Sequence, residues 1–303
     1  MKSERLRIGA LKLRNPVLTA SGTCGYGLEL ARYYDIAVLG AVCTKGLSLE
    51  PRAGNPPPRT CETPAGMLNS IGLANVGVEA FVREKLPELR AAGATVVANV
   101  LGTTPEEFSR IAARLDGVDG VHALELNLSC PNVKEGGLRL GTDPRGVREA
   151  VAAARGATKL PLVAKLSPET SDICVLARAA ADAGADAVSV MNTIRGMSID
   201  IRTRRPRLGN VMGGLSGPAI RPIAVRLVFE VSRAVSIPVI GVGGVLRWED
   251  ALEMMLAGAT AVQVGTASFV NPRAAIDVLQ GLEAYRKAQK CGYDDLIGAV
   301  RLD

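Results

Sequence analysis

The sequence predicts a parallel (β/α)8 TIM barrel with an N-terminal extension and long insertions at the mouth formed by the C-terminal ends of the strands. Three observations carry that expectation. Eight short, nearly all-apolar runs recur along the 303 residues, each followed by a polar or glycine-rich connection and a longer segment of helical periodicity. Runs that are apolar on both faces belong to parallel sheets covered by helices. No Pro/Ser-rich linker interrupts the series, so residues 1–303 are expected to form a single domain. An open doubly wound sheet would need a glycine-rich dinucleotide fingerprint after its first strand, and that is missing.

Taken in order, the first strand is expected at 15–21 (NPVLTAS), with a short helix near 28–34. The second, AVCTKG at 41–46, runs into Leu47 to Val76, a segment too proline-rich for a helix and too long for an ordinary βα connection. Long structured insertions usually serve a site. A helix over 76–92 leads to the third strand, TVVANV at 95–100, and then to a helix over 104–115 whose start is marked by Thr104, Pro105 and Glu106. The fourth strand, ALELNLSC at 123–130, alternates like a half-buried strand before it reaches amide and thiol side chains; Thr142-Asp143-Pro144 then opens a helix over 144–156. PLVAKLS at 161–167 precedes a helix over 169–184, and AVSVMN at 187–192 precedes a long connection containing Arg202, Arg204, Arg205 and Arg207. That basic run is either a solvated loop or a docking edge for an acidic partner or product. Ser216-Gly217-Pro218 opens a helix over 218–235, and PVIGVGG (238–244) and AVQVGT (261–266), with helices over 248–257 and 272–288, complete the series.

Composition narrows the function. Hydrophobic residues make up 48% and charged residues 22%, as expected of a soluble globular protein, while aromatics are only 3%, so Ala, Val, Leu and Ile must build the core. A net charge of +6 suits an anionic ligand, but single-strand binders need aromatic stacking platforms that this chain lacks, so nucleic acid is not expected. The six cysteines include no C-x-x-C pair, which argues against a zinc site or an iron–sulfur cradle. The first residues contain no apolar run long enough for a signal peptide or a spanning helix, so a reduced, cytoplasmic protein without membrane attachment is expected.

Active sites of such barrels form at the C-terminal strand ends. Reading those ends gives Ser21, Lys45 with Gly46, Asn99, Asn127 with Cys130, Lys165, Asn192 with Thr193, Gly243 with Gly244, and Gly265 with Thr266. Glycines after strands 7 and 8 let backbone N–H groups approach a phosphate. A Cys–His hydrolase fails on distance. The one histidine, His122, lies eight residues before Cys130. At about 3.3 Å per residue that places it roughly 26 Å away, at the opposite barrel end. Cys130 is therefore either a small buried hydrophobe or a general acid or base. Carboxamides around one cavity suit a cyclic imide or amide such as a pyrimidine, and Lys45 supplies a point charge for a carboxylate or a reduced flavin. Cys24, Cys43, Cys61, Cys174 and Cys291 join no evident constellation and are expected to be structural.

The segments NPVLTASGTCGYG, TKGLSLEPRAGNPPPR, ETPAGMLNSIGLAN, NLSCPNV, VAKLSP, NTIRGMSIDI, GGLSGPAI, GVGGV and VGTASF occur in barrel order. With them the chain resembles the class 1 dihydroorotate dehydrogenases, flavoproteins of pyrimidine biosynthesis, and most closely the NAD-linked class 1B catalytic subunits. The resemblance implies oxidation of (S)-dihydroorotate to orotate, with one FMN per chain. It places Ser21, Lys45, Gly46, Asn99, Asn127, Lys165 and Gly217 at flavin contacts, and Gly243, Gly244, Gly265 and Thr266 at the phosphate. It implies substrate contacts from Lys45, Asn69, Ser70, Ile71, Gly72, Leu73, Asn127, Asn132, Asn192 and Thr193. Cys130 stands where the family's catalytic base sits; the membrane-bound class 2 enzymes look to have Ser there and an N-terminal membrane segment.

The loop from Asn132 to Asp143, with Gly136, Gly137 and Gly141, is expected to close over the substrate. The class 1B likeness further implies a partner subunit carrying FAD and a [2Fe–2S] centre that passes electrons to NAD+, in a heterotetramer of two catalytic and two electron-transfer subunits around a homodimer core. The competing readings are a fumarate-dependent class 1A-like enzyme without a partner, a related flavin barrel acting on dihydropyrimidines or on dihydrouridine in tRNA, and a non-catalytic flavin-binding module.

Overall fold

The computed structural model describes residues 5–128 and 140–303. Its central sheet consists of β1 (Val17–Thr19), β2 (Val42–Cys43), β3 (Val96–Leu101), β4 (Ala123–Asn127), β5 (Leu162–Lys165), β6 (Ala187–Val190), β7 (Val239–Val242) and β8 (Ala261–Val264), all parallel. Spatial neighbours are sequence neighbours, and β8 pairs with β1. A parallel bridge between Leu18 and Ala41, with the Gly40 N–H donating to the Val17 carbonyl at 2.8 Å, joins β1 to β2 and closes the barrel. These two strands are too short to complete the seam by backbone alone, and the Thr19 hydroxyl accepts from the Cys43 N–H at 2.9 Å in place of a ladder bond.

Each expected strand is present, and each expected long helix follows its strand. The helices are α1 (77–91), α2 (Pro105–Leu115), α3 (Pro144–Ala157), α4 (Ile173–Asp182), α5 (Arg221–Ala234), α6 (Trp248–Ala257) and α7 (Ala274–Gln289). The short helix expected near 28–34 is a single tight turn, Leu30–Arg32. Start signals act as read: the Thr104 hydroxyl accepts from the Glu107 N–H at 3.2 Å, and the Asp143 carboxylate accepts from the Arg145 N–H at 3.1 Å. Helix α2 shows how the outer layer is held. Its buried residues Phe108, Ile111, Ala112 and Leu115 fall at i, i+3, i+4 and i+7, one stripe facing the sheet. Full burial of a Phe or Leu side chain contributes about 1.5–3 kcal/mol.

The segment from Leu47 to Val76, too proline-rich for a helix and expected to be a structured insertion, does not form a separate subdomain. It instead joins the connection after β6 in a four-stranded antiparallel sheet of Ile194–Met197, Met212–Ser216, Gly66–Asn69 and Thr60–Thr63, paired in that order. This mouth sheet supplies part of the wall of the cavity at the strand ends. The basic run carries a small ribbon, Ile199–Asp200 with Arg205–Pro206, and Arg202, Arg204, Arg205 and Arg207 are all exposed. His122 precedes β4 at the far end of the barrel, where its Nδ1 accepts from the Val96 N–H at 3.1 Å, a structural role as expected. No helix among the described residues is long and apolar enough to cross a membrane.

Candidate active site

The strand ends open on a cavity of about 770 Å³, a volume in the range of cofactor sites. Ser21 follows β1, Lys45 and Gly46 follow β2, Asn99 stands in β3, and Asn127 and Lys165 are the last residues of β4 and β5. Asn192 and Thr193 follow β6, and the mouth sheet brings Asn69 together with the loop Ser70, Ile71, Gly72 and Leu73. Gly217, Gly243, Gly244, Gly265 and Thr266 form one corner. All of these sequence-read residues line the same cavity. Cys130, Asn132 and the loop up to residue 139 lie outside the described residues; Gly141 and Thr142, at the end of that loop, line the cavity.

The carboxamides are oriented by neighbours. Asn192 donates from Nδ2 to Asn127 Oδ1 at 3.1 Å and accepts the Thr193 N–H at 2.8 Å. Asn69 donates to the Gly214 carbonyl at 3.3 Å across the mouth sheet. Asn55, which the sequence reading missed, anchors the 70–73 loop: its Nδ2 donates to the Ser70 carbonyl at 3.0 Å and its N–H to the Ile71 carbonyl at 3.1 Å. Gly72 takes φ +74° there, and a Cβ would stand 2.4 Å from the Asn55 nitrogen, so only glycine fits.

Beneath the amides lies a polar layer inside the barrel, centred on a fully buried carboxylate absent from the expected site, Glu125 of β4. Its Oε1 accepts from Asn99 Nδ2 at 2.7 Å and from the Cys43 thiol at 3.2 Å, and its Oε2 accepts from Ser189 Oγ at 2.7 Å and Gln263 Nε2 at 2.6 Å. Lys165 Nζ stands 3.8 Å from Oε1. Burial pushes the Glu125 carboxyl up, but the Lys165 charge and the hydrogen bonds from Ser189, Gln263 and Cys43 outweigh it, and the group lies below the ordinary carboxylate range. Cys43 is thus part of a constellation after all. Burial, and then the Glu125 charge beside it, hold its thiol well above the usual value. A trace of this layer was present in the sequence as an ionisable residue in the middle of an apolar barrel strand. Alternation along β4 turns Glu125 inward with Asn127.

Lys45 forms no ion pair among the described residues; burial, and next the charge of Arg59, lower its pKa. At the glycine corner, Gly217 adopts φ +94°, and a Cβ there would stand 2.8 Å from Gly66 Cα. Arg221 nearby is engaged with Asp250 and, at 3.2 Å, with Glu253. The backbone N–H groups of Gly244, Gly265 and Thr266 have no partner among the described residues. An anion at this corner would therefore be met by backbone donors rather than by a free guanidinium.

A family model for dihydroorotate dehydrogenase matches residues 5–285. The chain belongs to the dihydroorotate dehydrogenase family. It is 58% identical over 296 residues to the "Dihydroorotate dehydrogenase B (NAD(+)), catalytic subunit" of Trichlorobacter lovleyi, covering 97% of each chain. The like-named proteins of Pelobacter propionicus and Desulforudis audaxviator are each 55% identical, over 97% of this chain and 97% and 96% of theirs. Dihydroorotate dehydrogenases are flavin enzymes, and the residues present fit a flavin. The Asn99 Oδ1 is buried with no hydrogen-bond partner among the described residues, an acceptor awaiting a donor such as a ring N–H. Lys45, without an ion pair among the described residues, and the open backbone donors of the glycine corner suit the anionic groups of a bound ligand.

Proposed function

We propose that this chain oxidises (S)-dihydroorotate to orotate with FMN as its flavin, as the catalytic subunit of an assembly that delivers the electrons to NAD+. The observation that carries the reading is the convergence of Lys45, Lys165, the carboxamides and the glycine corner on one cavity in a chain of this family.

FMN would be held by Ser21, Lys45, Gly46, Asn99, Asn127, Lys165 and Gly217, with its phosphate at Gly243, Gly244, Gly265 and Thr266; bound there, it supplies the acceptor for the hydride leaving C6 of the substrate. Lys45 meets the substrate carboxylate. The 70–73 loop and Asn69, Asn127, Asn132, Asn192 and Thr193 hold the flat ring by its amide edges, which turns the encounter into a positioned, effectively intramolecular reaction. Cys130 takes the proton from C5, so that proton and hydride leave adjacent carbons and a double bond forms between them.

The relatives are named catalytic subunits, which supports a second kind of subunit. In our reading it carries FAD and a [2Fe–2S] centre, two of each subunit assembling around a homodimer of this chain in the cytoplasm. The names also specify NAD(+), which favours this acceptor over fumarate. The test is to load the chain with FMN and offer dihydroorotate with NAD+ or fumarate. Orotate formation with NADH appearing only when the electron-transfer subunit is added supports the reading. Sustained fumarate reduction by the chain alone refutes it.

A further inference from the structure

Glu125 carries a charge that the reaction itself does not use, at a depth where an isolated charge is costly. It is fully buried, and its hydrogen bonds and ion pair reach β2 through Cys43, β3 through Asn99, β5 through Lys165, β6 through Ser189 and β8 through Gln263. Two of these partners, Asn99 and Lys165, line the cavity, and the other three lie beneath it. Asn99 spends its donor on Glu125 and keeps its unpartnered Oδ1 as an acceptor. The carboxylate therefore dictates which end of the Asn99 amide is available, and it neutralises the buried Lys165 ammonium.

We infer that Glu125 is a positioning residue that tunes the flavin site, by turning Asn99 so that its oxygen is the free end and by balancing the Lys165 charge at the cavity floor. The inference rests on the FMN reading above. A reduced flavin is anionic near neutral pH, so an uncompensated cation at the floor favours it over the neutral oxidised form. With Glu125 in place, that bias is held down. Removing the negative charge while keeping the shape, as in Glu125→Gln, releases it. A glutamine also presents its own N–H2 to donors that formerly met only oxygen, so the Asn99 amide loses its fixed orientation and binding of the oxidised flavin weakens.

The experiment uses the FMN-loaded chain and compares wild type with Glu125→Gln and Glu125→Asp. The midpoint potential of the bound flavin is measured by dye-equilibrated reduction, and affinity for oxidised FMN by fluorescence quenching. Glu125→Gln is expected to favour reduced over oxidised FMN roughly tenfold more than wild type, an upward shift of about 30 mV for a two-electron couple. Its affinity for oxidised FMN is expected to fall, and Glu125→Asp, which keeps the charge, to stay close to wild type in potential. A Glu125→Gln variant that binds FMN with an unchanged or lowered potential overturns the inference and leaves the FMN reading standing. Failure of the wild-type chain to bind FMN sinks both. Should Glu125→Gln alone not fold, Lys165→Met is compared with Lys165→Met/Glu125→Gln. A countercharge left alone by the first change makes the double variant the more thermally stable, with the higher flavin potential; equal melting temperatures and potentials count against the inference.

Discussion

Replacing Lys165 by Met removes the cation of a buried pair and leaves an unbranched side chain one heavy atom shorter. In the native protein Lys165 Nζ lies 3.8 Å from Glu125 Oε1, with the two side chains 6% and 0% exposed. Breaking a buried ion pair by removing one partner costs about 3–5 kcal/mol, because the remaining charge is left uncompensated. Here Asn99, Cys43, Ser189 and Gln263 still donate to the carboxylate, which places the expected loss at the lower end, about 3 kcal/mol at pH 8. The loss has a characteristic pH dependence. In the wild type the folded Glu125 carboxyl is held below the ordinary range. Its contribution to stability is therefore present above the unfolded value of about 4.3 and is lost as the pH falls through the folded value. In Lys165→Met, burial without a cation raises the folded value above about 4.3, so the variant gains stability as the pH falls toward that point, by up to about 1.4 kcal/mol per pH unit. Urea denaturation of both chains between pH 5 and 8 measures the gap. It is expected to narrow toward acid; a gap below about 1 kcal/mol at pH 8, or one that does not change with pH, refutes the reasoning.

Lys45→Ala should weaken orotate binding about 10- to 100-fold, the worth of one charge-assisted contact, as read by titrating the flavin spectrum. An unchanged dissociation constant would remove Lys45 from the substrate site. Gly217→Ala forces a side chain onto φ +94° and toward Gly66 Cα at 2.8 Å, and should cost about 1–3 kcal/mol of stability, measured in urea, and weaken FMN binding. Cys24 is buried and pushed up to about 11 by that burial, and burial and the Glu125 charge hold the Cys43 thiol well above its usual value, so neither should react with a thiol reagent at pH 8 in the folded chain. Mass spectrometry showing rapid labelling of either would mean that the barrel interior opens.

The barrel was legible because its strands are apolar on both faces and its helices carry clear periodicity and caps, as Thr104 and Asp143 illustrate. The cavity-lining residues at the strand ends followed from that topology, and the gathering of glycines at one corner of the cavity from where they fall in the sequence. The mouth sheet was not legible. Thr60–Thr63 and Gly66–Asn69 are four residues each, without a continuous buried face, and Gly66–Asn69 finds its second partner in Met212–Ser216, far along the chain. No local pattern announces such a pairing. Glu125 was passed over because its neighbours Leu124 and Leu126 made the segment read as an ordinary half-buried strand. Only the closed barrel, which brings Ser189 and Gln263 across to it, makes a buried carboxylate tenable there.

Whether this cavity removes a hydride and a proton from dihydroorotate is tested by mixing the FMN-loaded chain with dihydroorotate anaerobically while following the visible flavin absorption, for wild type and Cys130→Ala. Rapid bleaching is expected in the wild type, with slowing by a factor on the order of 100 to 10,000 in Cys130→Ala, the usual contribution of a positioned base. A flavin that stays oxidised in the wild type, or one that bleaches equally fast without the thiol, contradicts it.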